Sequence, residues 1–79
     1  MQVTVRYFAS IRVYTGLNRE TVELSAKSTI NDLLELLASK YDDFEDLRVL
    51  AAVNGEYAVS ELTLSDEDVV ALFPPVSGG

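Results

Sequence analysis

The sequence predicts an α+β roll, a sheet of about five strands wrapped around one main helix, with a short helix after the first strand. Three observations carry that prediction. The chain of 79 residues opens with period-two alternation, bears one apolar stripe at helical spacing in its middle, and closes on a run that is apolar on both sides. In a chain this short only the helix stripe can seal the inner face of the sheet, so the strands must curl around it.

In Gln2–Tyr7 the residues Val3, Val5 and Tyr7 alternate with Gln2, Thr4 and Arg6, the pattern of a strand with one buried face. Phe8, Ile11 and Tyr14 then recur at helical spacing, and Gly16 can stop the turn in a left-handed conformation, giving one or two helical turns. Over Glu20–Leu24, Val22 and Leu24 alternate with Thr21 and Glu23, so the second strand has a polar outer side and belongs at or near an edge. Thr29 and Asp32 form a capping pair, each accepting a backbone N–H that a helix start leaves unpaired. The main helix begins there. Its stripe is Ile30, Leu33, Leu34, Leu37 and Tyr41, with Asn31, Glu35, Ser39 and Lys40 turned to water. Val49–Val53 and Glu56–Val59 flank Asn54-Gly55, residues that accept the positive φ angles of a tight hairpin turn. In the last strand, Val69–Phe73, Val70 and Leu72 face one way and Val69, Ala71 and Phe73 the other. If the helix covers one side, Ala71 and Phe73 lie on the open face as a docking surface. Packing by neighbouring strands, or by the Phe8 segment, is the competing explanation for them. No linker, internal repeat or low-complexity stretch interrupts the chain.

Composition excludes several kinds of chemistry. With no cysteine and no histidine, the chain has no disulfide, thiol nucleophile, imidazole base or usual zinc ligand, and no metal site is expected. Its charge of −7 repels phosphate backbones, so nucleic acid is an unsuitable partner and a basic protein surface a suitable one. The run Asp42, Asp43, Glu45 and Asp46 reads as a solvated face, and neither it nor Asp66-Glu67-Asp68 has the ligand spacing of a calcium loop. No apolar run approaches a membrane span, and the first residues read as a strand rather than a secretory signal. The expected setting is the cytoplasm.

The ending Pro74-Pro75-Val76-Ser77-Gly78-Gly79 is the most informative segment. Proline lacks a backbone N–H and fixes φ, so the last strand must stop and project an extended segment. Two glycines then pass through a channel too narrow for other residues and leave the last carboxylate sterically open. Such a tail suits delivery into another protein's active site; an inert terminus that happens to end in glycine is the alternative. Residues 1–79 thus read as one domain with 74–79 as a functional tail.

Tyr7-Phe8-Ala9, Arg12 and Gly16, then Ala52-Val53-Asn54-Gly55, then the terminal hexapeptide, together resemble the sulfur-carrying small subunits of molybdopterin synthase, within the ubiquitin-like β-grasp family. The resemblance spans essentially the whole chain and implies parallel first and last strands at the centre of the sheet. One departure stands out. The family usually has Gly-Asp-Glu before the last strand, where this chain has Glu67-Asp68-Val69, so the turn there can be built differently.

The resemblance also implies a mechanism. Gly79 would be the covalent carrier. A ubiquitin-activating-like adenylyltransferase, using ATP and magnesium, would adenylate its carboxyl, and a sulfur donor would convert it to a thiocarboxylate. The tail would then enter the large synthase subunit, in a heterotetramer of two large and two small subunits, and give sulfur to a cyclic pyranopterin precursor. No cofactor would be bound by the chain itself, and everything catalytic would belong to the partners. Gly78 would give clearance; Val76, Ser77 and Pro75 would line the partner's channel, and Phe73 would dock on its surface. Related carriers leave other readings open: a thiamine-type sulfur carrier, a protein modifier joined through Gly79 to lysines, or an interaction domain with an inert tail.

Overall fold

The computed structural model of the chain describes residues 1–75. Five strands and two helices follow one another as β1 (Gln2–Tyr7), α1 (Ala9–Thr15), β2 (Arg19–Glu23), α2 (Ile30–Lys40), β3 (Leu50–Val53), β4 (Glu56–Ala58) and β5 (Val69–Phe73), with a 3₁₀ turn at Phe44–Asp46. The strands form a single sheet in the order β2-β1-β5-β3-β4. β1 and β5 run parallel at its centre, and every other neighbouring pair is antiparallel. β2 is an edge strand, as its polar outer side requires.

Alternation decides which side of each strand meets the helix. Val3, Val5 and Tyr7 on β1, Val22 on β2, Ala51 on β3, and Val70 and Leu72 on β5 are buried in one cluster with Ile30, Leu33 and Leu37 of α2. Each large apolar side chain fully buried there stabilises the fold by about 1.5–3 kcal/mol. The start of α2 is fixed by a capping box: Thr29 Oγ1 accepts from the Asp32 N–H at 3.2 Å, and Asp32 Oδ2 accepts from the Thr29 N–H at 2.8 Å. Gly16 ends α1 at φ 77°, the left-handed conformation its position requires.

Some local expectations differ from the structure. Tyr41 lies beyond α2 with extended backbone, and Leu34 is only half-buried, so the fully buried stripe is narrower than the sequence pattern. On α1 only Ile11 is buried; Phe8 and Tyr14 are exposed because the helix lies on the rim of the sheet rather than across it. β2 and β3 begin a residue away from their expected bounds, and β4 stops at Ala58. Phe44 is the one core residue hidden inside the acidic run: the 3₁₀ turn swings it inward, 3% exposed, while Asp42, Asp43, Glu45 and Asp46 stay in water.

Candidate functional site

The root of the tail is held by the most central part of the sheet. β5 pairs with β1 through Thr4–Val69 to Tyr7–Leu72 and with β3 through Leu50–Phe73 to Val53–Val70, so its backbone is bonded on both sides. Its entry is clamped by one side chain. Asn54 Oδ1 accepts the Val69 N–H at 3.0 Å, Asn54 Nδ2 donates to Asp68 Oδ1 at 3.0 Å, and the Asn54 N–H donates to the Val69 carbonyl at 2.9 Å. Asn54 also takes the left-handed φ of 50° that the hairpin turn demands. In the turn that lacks the expected glycine, Glu67 itself takes a left-handed backbone at φ 67°, and its N–H donates to the Gln2 carbonyl. At the other end Pro74 and Pro75 stop the ladder just after Phe73.

The face of the sheet away from α2 has a definite composition. In register, one row crosses all five strands as Arg19, Arg6, Ala71, Ala52 and Tyr57. Two alanines thus floor a shallow trough between a long basic side and an aromatic side. Phe73 lies on this face, half-buried, opposite Leu50 and 5.8 Å from the Tyr57 ring centroid at 62°. Leu50 is 41% exposed, Val69 38% and Tyr57 82%, so Phe73 is packed by a neighbouring strand and still belongs to an apolar surface open to solvent. Neither Leu50 nor Tyr57 stood out in the sequence. The two-residue Asn54-Gly55 loop was the available signal for Tyr57, because it forces Ala52 opposite that residue.

Pro75 is exposed at the strand's exit. The other expected site residues, Val76, Ser77, Gly78 and Gly79, lie outside the described residues. Among the described residues no group of three or more acidic side chains is placed to hold a metal ion. No helix among them is long and apolar enough to cross a membrane.

A polar cluster sits on the opposite, helix-facing side of β2. Glu20 is in phase with Val22, so its carboxylate turns inward at the sheet edge. There Oε2 accepts from Tyr7 Oη at 2.5 Å and from Tyr41 Oη at 2.6 Å, while Oε1 pairs with Lys40. Burial raises the Glu20 pKa, but the donors Lys40, Tyr41 and Tyr7 outweigh it and hold the carboxyl below its usual range. Burial, reinforced by the Glu20 charge, pushes the Tyr7 and Tyr41 phenols up. The cluster ties the end of α2 to β2 through Lys40 and Glu20.

The described residues thus combine a central strand paired on both sides with a partly apolar open face beside its C-terminal end. The family model described as ThiS family matches residues 5–79. The chain belongs to the ThiS family. The Arabidopsis thaliana molybdopterin synthase sulfur carrier subunit is 32% identical over 81 residues, covering 100% of this chain and 84% of that protein. Small archaeal modifier protein 3 of Haloferax volcanii is 32% identical over 92 residues, covering 100% of both. Among solved structures, subunit 1 of a molybdopterin converting factor from Pyrococcus furiosus superposes with a TM-score of 0.88 at 34% identity, over 95% of this chain and 98% of that one. The architecture of this family member is the ubiquitin-like β-grasp, with the parallel central pair that the fold requires.

Proposed function

We propose that this chain is the sulfur carrier subunit of a molybdopterin synthase, working through the carboxyl of Gly79. The supporting observation is the conjunction of full-length similarity to such carriers with a Pro74-Pro75-Val76-Ser77-Gly78-Gly79 segment attached to the most firmly held strand. A carboxylate is a poor acyl donor to a sulfur nucleophile, because its charge is delocalised and oxide is a poor leaving group. An adenylyltransferase with ATP and magnesium would attach AMP to Gly79 and release pyrophosphate. A sulfur donor would then displace AMP: hydrosulfide gives the terminal thiocarboxylate directly, whereas a persulfide gives an acyl disulfide whose S–S bond a second thiol of the donor cleaves, that thiol ending in a disulfide. The tail would enter the large subunit, where the thiocarboxylate sulfur forms a C–S bond to the pyranopterin precursor as a C–O bond of the precursor breaks, and water then cleaves the acyl–sulfur bond, leaving sulfur on the precursor and a carboxylate on Gly79.

In this scheme Gly78 gives clearance, Val76, Ser77 and Pro75 line the partner's channel, and the face around Phe73 docks outside it. Intact mass spectrometry of the protein from its native host tests the proposal. A species heavier by about 16 Da, oxygen replaced by sulfur at the C-terminus, is expected. Its absence under conditions where molybdopterin is being made would refute the carrier role. The similarity to a small archaeal modifier protein supports a second use of the same terminus, an isopeptide bond from Gly79 to lysines of other proteins. Isopeptide-linked species of this chain in lysates of its host would establish it.

A further inference from the structure

In an acidic chain of net charge −7, three of the six cations gather in one place. Arg6, Arg12 and Arg19 line an open depression of about 420 Å³ together with Phe8 and Asn18. The pairing register makes this more than a coincidence of surface charge. Arg6 and Arg19 stand directly opposite each other across β1 and β2. Like charges in that position sit with their Cβ atoms about 4.5–5.5 Å apart and destabilise the pair. Thirteen carboxylates are available in the chain, yet among the described residues none lies within 4.0 Å of these guanidinium groups. The one aromatic contact is within the cluster itself, with the Arg6 guanidinium 5.2 Å from the Phe8 ring centroid. A local rule broken with no carboxylate to neutralise it is expected at a functional site.

The location says which function. Arg6 is the register neighbour of Ala71 on β5, and the Phe8 N–H donates to the Leu72 carbonyl at 3.0 Å. The cluster therefore borders the open face at the tail-bearing end of β5, on the side away from Tyr57. We propose that Arg6, Arg12 and Arg19 form a receptor for carboxylates on the rim of the protein that accepts the tail, a surface with an apolar ridge for the Ala71–Ala52 trough and acidic side chains beside it. This rests on the carrier role proposed above and specifies its partner. The complementarity is local and opposite in sign to the chain's overall charge. A partner approaching with its acidic rim anywhere but at this cluster meets repulsion, so the cluster sets orientation as well as affinity. Planar guanidinium groups suit the task because each can grip a carboxylate through two N–H donors.

The test is titration of the full chain against the large synthase subunit of the same host, at low and high salt. The double variant Arg6→Gln/Arg19→Gln is expected to bind at least about tenfold more weakly at low salt, with the difference shrinking as salt rises. Its melting temperature should be unchanged or higher, because a repulsive pair has gone. Affinity within twofold of the parent at low salt, or a lowered melting temperature, overturns the inference. So does a shift of the Arg6 and Arg19 resonances by millimolar inorganic phosphate with unchanged partner affinity, which would mark a small-anion site. Phe73→Asp separates the two levels. If it abolishes binding while the arginine variant binds normally, only the basic receptor is wrong; if neither variant weakens binding, the docking face itself is wrong.

Discussion

Glu67 holds a left-handed backbone, φ 67°, in an exposed turn where most side chains would be strained. The conformation is retained because Ser65, Asp66 and Asp68 tie the turn to β1 and to itself: Gln2 N–H donates to Asp66 Oδ1 at 2.8 Å and Ser65 N–H to Asp68 Oδ2 at 2.8 Å. Glu67→Gly is therefore expected to raise stability by about 0.5–1 kcal/mol, the relief of left-handed strain less the entropy of a freer unfolded chain. Urea denaturation checks it; a fall in the midpoint would show that the Glu67 side chain contributes something the backbone geometry does not. Glu20 gives a prediction in pH. Its carboxyl is held below its usual range in the fold, so it stabilises fully above its unfolded pKa of about 4.3 and loses that contribution as pH falls through the lower folded value. The Tyr7 and Tyr41 phenols are raised, so their contribution persists below about pH 10 and is lost as pH climbs above it. Glu20→Gln should lower stability at neutral pH by about 1–3 kcal/mol and flatten the acid limb. Melting curves from pH 3 to 7 that keep the parent's slope would exclude Glu20 as the source.

At the scale of elements, β5 does two jobs with alternate residues. Val70 and Leu72 are fully buried against α2, while Ala71 and Phe73 form the open face. Phe73→Asp leaves the inner row intact, so the domain should stay folded while the affinity for the large subunit falls by at least about tenfold, from burial of an unpaired charge. Calorimetric titration decides it, and unchanged affinity removes Phe73 from the interface. The strands and helices were legible because period-two and 3.6-residue patterns are local, and the Thr29 and Asp32 cap and the Asn54-Gly55 turn mark ends by their own chemistry. The two faces of β5 were legible for the same reason. What sits beside a residue across a sheet was not. The β1–β2 connection passes through α1, so no local pattern sets Arg6 against Arg19, and Glu20 turns inward although it is charged. Phe44 escaped notice because its neighbours are acids and its inward turn depends on Asp43 at φ 60°.

For the molecule as a whole, the division is between a core built from the domain and a terminus that carries the proposed chemistry. Among the described residues, every member of the core cluster lies between Val3 and Leu72. A chain ending at Pro75 should therefore melt at the same temperature as the full one and fail entirely in sulfur transfer. A marked loss of stability would mean that the tail is part of the scaffold, and retained transfer would dismiss the carrier role.

The parallel pairing of β1 with β5 has a mechanical consequence. Tension applied to the segment after Phe73 and resisted at Met1 pulls two adjacent strands in opposite senses along their length. The hydrogen bonds from Thr4–Val69 to Tyr7–Leu72 are then loaded together in shear, whereas a hairpin pulled from its open end would unzip one bond at a time. Under the carrier role proposed above, a terminus threaded into a tight channel and withdrawn again would hang from the arrangement of strands that yields last, so repeated charging and unloading would drag on the domain without unravelling it.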